Sequence, residues 1–204
     1  MGKIKLTKGE LKRQREALSQ YERYLPTLQL KKQQLQLEIL HQYNILEDKN
    51  RQLLDKISAA QSWGGFLAEG YLEKHWLIPE QVITGPKNIA GVDISLFERA
   101  QFRQAEYDLF VTPLWVDTAL DELRAVVSFK EEIRVIKQGI GILKHELRIT
   151  AQRVNLFEKI KIPEAEEAIR VIKIYLGDQM SNAVGRSKIA KLKIDKFSFE
   201  EAPV

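Results

Sequence analysis

The chain has no cysteine among its 204 residues. Disulfides, thiolate nucleophiles and thiolate metal sites are therefore excluded, and the composition is consistent with a reducing compartment. Histidine is scarce too: His41, His75 and His145 stand far apart, without metal-ligand spacing. No apolar run approaches the roughly 18 residues needed to cross a bilayer. The start, Met1-Gly2-Lys3-Ile4-Lys5-Leu6-Thr7, has no apolar core of signal-peptide length, and Leu6 stands where a myristoylation motif wants Ser or Thr. A phosphate-binding loop is missing. Gly65 and Gly70 have the right separation, but Tyr71-Leu72 follow where Lys and Ser or Thr are required. There is no HExxH and no nucleophile elbow, and the acidic pairs Glu131-Glu132 and Glu166-Glu167 read as solvated helix faces. These absences argue against intrinsic catalysis, and no metal or cofactor is expected.

What the chain has is periodicity. Leu11, Leu18, Leu25, Ile39, Leu46 and Leu53 recur every seven residues, with Lys32 as the one break in the series. Tyr21, Leu28 and Leu35 form a second row offset by three. In the last third, Val126, Ile133, Ile140, Leu147 and Val154 repeat the pattern, with Phe129, Ile136, Leu143 and Phe157 alongside. Each set is a narrow stripe on an α-helix that needs a partner helix to cover it. One chain with two such arms most simply folds back on itself. The expected fold is all-α dominated: a long antiparallel two-helix coiled coil from the N- and C-terminal arms, with a small central region holding a short β-hairpin. The expected boundaries are 1–60 for the first arm, 61–113 for the centre, 114–196 for the second arm and 197–204 for a frayed tail. At ~1.5 Å per residue the first arm is on the order of 80 Å long, far more than a compact domain needs. Such a rod points to mechanical or scaffolding work rather than chemistry.

Local signals refine this. Thr7 is a candidate N-cap, with Glu10 completing a capping box. Pro26 and Pro163 lie inside the arms, where each is expected to bend its helix, at about the same height in a hairpin. Gly64, Gly65 and Gly70 end the first arm, and Trp63, Phe66, Tyr71 and Trp76 follow closely. Two β-like runs, 77–84 and 89–94, flank Gly85-Pro86-Lys87-Asn88, which reads as the hairpin turn. An isolated hairpin is marginal, so the neighbouring aromatics are expected to pack over it. Gly139 and Gly141 interrupt the second arm and mark close helix contact, a flexible point or simple tolerance. Lys32 and Thr150 are polar positions on the stripes.

The formal net charge is +4, but it is unevenly placed. Residues 61–118 hold four basic residues against eight acidic ones, which leaves −4 there and +8 on the arms. Much of the excess sits at the ends: Lys3, Lys5, Lys8, Lys12, Arg13 and Arg15, then Arg186, Lys188, Lys191, Lys193 and Lys196. A hairpin would bring the two clusters together as one basic pole, either facing a partner or simply solvated.

Several strings also resemble a known family. Leu6-Thr7-Lys8 with Leu11 and Arg15, then Leu25-Pro26-Thr27-Leu28-Gln29-Leu30-Lys31-Lys32, are similar to the N-terminal arm of the V-type ATPase/ATP synthase D subunit. Asn88-Ile89-Ala90-Gly91-Val92 resembles its central hairpin region. Arg153-Val154-Asn155-Leu156-Phe157-Glu158 and Ile162-Pro163 resemble its C-terminal signature, with Leu156-Phe157 standing where that string has Ala-Leu. The Tyr-Leu-Pro-Thr form is similar to the bacterial branch.

The resemblance implies a non-catalytic central rotor stalk. It would transmit torque between a catalytic hexamer of A and B subunits and the ion-translocating membrane ring. The termini would sit inside the hexamer, and the middle would meet the F subunit and the ring-capping subunit. The chain would lie on the cytoplasmic face of the membrane through the complex, without inserting into it and without nucleic acid. Lys3, Lys5, Lys8, Arg15, Arg153, Arg186, Lys188 and Lys191 are the partner-contact candidates. The rival reading is a freestanding coiled-coil tether whose basic pole binds nucleic acid or an anionic membrane.

Overall fold

The structure, a computed structural model, describes residues 5–61, 64–65, 71–108 and 110–200, the side chains of 197–200 excepted. Trp63, Phe66 and Gly70 lie outside the described residues. The elements are α1 (Lys8–Gln61), β1 (Pro79–Ile89), β2 (Val92–Phe102), α2 (Trp115–Leu156) and α3 (Ile162–Glu200). A 3-10 turn, Lys74–Leu77, leads into β1, and a π-helical turn, Phe157–Lys161, joins α2 to α3. α3 thus continues through the first four residues of the expected tail. Two compact units form, one from Leu30–Ala151 and one from Met1–Gln29 with Gln152–Val204.

α1 starts where the sequence says it should. Thr7 Oγ accepts the backbone N–H of Glu10 at 3.2 Å, which satisfies one orphan donor of the first turn. The Glu10 carboxylate accepts from the Gln14 side-chain amide at 2.8 Å instead of returning to Thr7, so the capping box is half-made.

In the unit Leu30–Ala151, α1 and α2 are antiparallel. Three cross-helix ion pairs track this: Lys31–Glu146 at 3.1 Å, Lys49–Glu132 at 2.8 Å and Lys56–Glu122 at 3.9 Å. The partner number falls as the α1 number rises. Both heptad rows face inward. Leu46, Ile133 and Ile140 form one buried cluster, with Leu53 and Ile136 against it. Leu35, Ile39, Leu143, Val92 and Ile94 form another. Further along the seam, Lys49 and Lys56 occupy positions where an apolar residue would be expected. Their ammonium groups stand 5.2 and 5.5 Å from the Phe129 ring centre, and their stems replace an apolar cover. Thr150 is fully buried, and Gln42, whose amide donates to Glu38 at 2.9 Å, is buried as well.

The hairpin corrects one expectation. Its turn is Ala90-Gly91, not Gly85–Asn88, and β1 runs through the Gly-Pro-Lys-Asn segment as far as Ile89. Ala90 and Gly91 have φ of 51° and 75°, the pair of left-handed residues that a two-residue turn needs to match strand twist. Asn88 holds the turn. Its side-chain oxygen accepts the Gly91 N–H at 3.1 Å, and its amide donates to Asp93 at 2.6 Å. Pro86 is tolerated inside β1 because each strand of a two-stranded ribbon has a free edge. The tip lies on the helices, with Val92 and Ile94 in the buried cluster and Ile89 and Ala90 beside it. Among the expected covering aromatics, Trp76 is buried next to Tyr107, with ring centres 5.5 Å apart.

In the other unit, Tyr21 and Phe157 are in ring contact at 5.3 Å, and Ala165, Ala168, Ile169 and Ile172 are buried on α3. The π-helical turn has a local cause. Pro163 lacks an N–H, and its ring would press on the carbonyl one turn back. The turn before it is widened, so that the Ile162 N–H bonds to the Phe157 carbonyl five residues earlier. Pro26 lies within the continuous span of α1. The two prolines are not level. Measured from the Tyr21–Phe157 contact, they lie on opposite sides of it and about three helical turns apart.

The Gly141 position faces open space, and a Cβ at Gly139 would meet Ile94 at 3.9 Å, an ordinary contact. Close helix approach therefore does not explain either glycine. Gly141→Ala is expected to raise the unfolding free energy by about 0.5–1 kcal/mol, through helix propensity. Leu143→Ala, at a fully buried site, is expected to lower it by about 2–5 kcal/mol. Urea unfolding followed by circular dichroism reads both.

Candidate partner-binding surface

The basic residues singled out in the sequence fall in the unit that holds both ends of the chain. Lys3 lies outside the described residues. Lys5 precedes α1, and its carbonyl accepts the Thr7 N–H at 3.0 Å. Lys8 and Arg15 are exposed on the first turns of α1, and Arg153 is exposed in the last turn of α2. Arg186, Lys188 and Lys191 are exposed on α3.

These residues do not form one pole. α1 begins at Lys8, about 20 Å of helix from Tyr21, whereas α3 runs on the order of 60 Å past Phe157 to Lys196. The burial of α3 stops where α1 runs out. Ile172 is fully buried and Leu176 half-buried, but from Gly177 to Lys196 every residue except Gly185 is exposed. The cluster Lys5, Lys8 and Arg15 therefore lies beside paired helix. The cluster Arg186–Lys196 rides on an overhanging single helix.

The overhang is apolar as well as basic. Met180, Val184, Ile189, Leu192 and Ile194 are each more than half exposed. At 100° per residue, Met180, Val184 and Ile194 fall on one side of the helix, and Ile189 and Leu192 on the other. Arg186, Lys188, Lys191, Lys193 and Lys196 outnumber Asp178 and Asp195 along the same stretch. A helix lying on a flat surface has one apolar face. This one offers apolar side chains on both sides, with cations interspersed. The basic cluster was visible in the sequence, but the bare apolar side chains were not singled out. Their signal was the inequality of the two arms, since the second is about twenty residues longer than the first.

A second surface lies in the unit Leu30–Ala151. Leu30, Leu37 and Leu40 are exposed on α1, on the side away from α2. Gln34, Leu37, Glu38 and His41 form an open groove with Ile89 and Ala90 at the hairpin tip.

Titratable chemistry is sparse. The Arg170 guanidinium donates to both Glu167 oxygens, at 2.8 and 2.7 Å. Those bonds hold the Glu167 carboxyl below its ordinary value and raise Arg170 above its own. A lowered carboxyl contributes stability above its unfolded pKa and loses it as pH falls through the folded value. Both groups are exposed, so this pair is a helix-surface detail. Among the described residues there is no group of acidic or histidine side chains fit to hold a metal ion. No described helix is long and apolar enough to cross a membrane.

Comparison with known proteins bears on the whole chain. The sequence model of the ATP synthase D subunit family matches residues 10–192. A Borreliella burgdorferi protein named as the D subunit of V-type ATP synthase is 43% identical over 199 residues, covering 96% of this chain and 97% of that one. The proteins of that name from Chlamydia pneumoniae and Chlamydia trachomatis serovar L2 are 34% and 33% identical. They cover 94% and 95% of this chain, and 93% and 97% of their own lengths.

If the overhang is a surface rather than part of the core, its removal costs little. Truncation after Leu176 is expected to change the urea unfolding free energy by less than about 1 kcal/mol. A larger loss would mean that α3 packs beyond Leu176.

Proposed function

Because the chain belongs to the ATP synthase D subunit family, we propose that it is the central rotor shaft of a V-type rotary ATPase/ATP synthase. In this reading it has no catalytic residue of its own. It carries torque between a hexamer of A and B subunits and the ion-translocating ring in the membrane. It stays on the cytoplasmic face, held there through its complex.

The observation that carries the reading is the overhang of α3. A shaft end turning inside a ring of subunits is touched from every side in succession. Apolar side chains on both sides of the helix, with cations among them, suit such a contact. Exposed charge pairs contribute only about 0–1 kcal/mol each, so they guide position without locking it. Lys3, Lys5, Lys8, Arg15 and Arg153, with Arg186, Lys188 and Lys191, are the proposed contacts to the A and B subunits. The antiparallel seam of α1 and α2 supplies stiffness, since two packed helices resist bending better than one. The exposed Leu30, Leu37 and Leu40 on α1 are the proposed seat of the F subunit, and the acidic central segment faces the ring-capping subunit. A tether reading gives no reason for apolar side chains on both sides of a free helix.

The test uses the absence of cysteine. A single Lys87→Cys variant, labelled with a bead or gold particle, is assembled with A, B and F subunits fixed to a surface. ATP is expected to drive the label round in one direction, and deletion of residues 177–204 is expected to abolish sustained rotation. A label that stays still while the hexamer hydrolyses ATP at its full rate would remove the shaft reading. So would recovery of the chain from its cell bound only to nucleic acid that dissociates in salt.

A further inference from the structure

We infer that the β-hairpin is a brace that sets the register of α1 against α2 in the unit Leu30–Ala151. The need for one comes from the heptads. Leu11 to Leu53 and Val126 to Val154 repeat every seven residues. A slide of one helix by seven residues therefore sets much of each apolar row opposite the other again, with Lys32, Gln42, Lys49, Lys56 and Thr150 as the interruptions. The seam alone distinguishes such states only through those polar positions. Its three cross-helix ion pairs are partly exposed and individually weak.

The hairpin supplies what the repeat lacks. Two packed helices leave the flanks of their seam facing water. Beside the hairpin, Leu35 and Leu143 are at 0% exposure, and Val92 and Ile94 belong to the buried layer around them. Ile94 also lies against Gly139, one of the two α2 positions without a side chain. Neither residue belongs to a repeat, so the tip fits the helix pair at one register only. The base of the hairpin is fastened separately. Arg124 of α2 donates to the carbonyls of Trp76, at 3.2 Å, and Arg103, at 2.6 Å, which lie just outside the two strands. Its guanidinium also stands 5.5 Å from the Phe102 ring centre. Held at its base by α2 and wedged at its tip against both helices, the hairpin can transmit a restoring force when one helix slides past the other.

The inference concerns the free chain and does not depend on the rotor reading. The experiment measures spin-label distance distributions in the full chain, which has no native thiol. One pair, Gln36→Cys with Arg148→Cys, spans α1 and α2 near the tip. A second pair, Ser19→Cys with Lys159→Cys, lies in the unit that holds the chain ends. The variant Val92→Ser with Ile94→Ser removes the apolar wedge. The distribution at the first pair is expected to broaden by about twofold or to gain a second population, with no change at the second pair. Should that variant fail to fold, Ile94→Ala carries the same test with a smaller broadening. A first-pair distribution as narrow as in the parent overturns the inference. Equal broadening at both pairs overturns it too, because the hairpin would then act on general stability and not on register.

Discussion

Two packed helices bury only a narrow seam. Its flanks face water, and the unit Leu30–Ala151 deals with them in two ways. Around Leu35 and Leu143 a β-hairpin closes the gap with Val92 and Ile94. Around Phe129 the stems of Lys49 and Lys56 close it, and their charged ends reach Glu132 and Glu122. Magnitudes separate the two roles. Full burial of one Leu contributes about 1.5–3 kcal/mol, whereas a partly exposed ion pair contributes about 0–1 kcal/mol. The apolar cover holds the pair together. The ion pairs add little to it, and with every lysine on α1 and every glutamate on α2 they do not by themselves set its direction.

The unit that holds the chain ends meets the same problem with smaller side chains and then abandons it. Ala165 and Ala168 are buried where α3 still pairs, and small residues let helices approach closely. Just before them the π-helical turn absorbs the missing donor of Pro163 without ending the helix. Past Leu176 no described helix covers it. The chain continues as helix for six further turns or so, with apolar side chains in water on both sides. The proposed contact with the A and B subunits lies on this stretch, where basic residues stand among the exposed apolar ones.

Much of this was legible in the sequence. A seven-residue repeat is a geometric statement, so both arms, their facing rows and their antiparallel return followed from Leu11, Ile39, Ile133 and Ile140. The hairpin was legible as an element but not in its turn. Gly-Pro is a strong turn signal, yet a two-residue turn needs two left-handed residues. Proline cannot supply one, and Ala90-Gly91 with Asn88 behind it does. The buried Gln42 was hidden because a glutamine on a helix is normally solvated, and only its bond to Glu38 makes burial tolerable. The supposed basic pole failed for a different reason. Charge clusters at the two ends of a sequence meet only if the arms match in length, and these do not.

The account makes the overhang of α3 the moving contact of a rotary machine, and one cross-link tests that most directly. A Leu192→Cys variant is assembled into the complex and joined by a reducible bond to a cysteine placed on the facing A or B subunit. ATP hydrolysis is expected to stop when the bond forms and to return when it is reduced. Undiminished hydrolysis with the bond fully formed would show that this helix does not turn within the hexamer, and the shaft reading would fall.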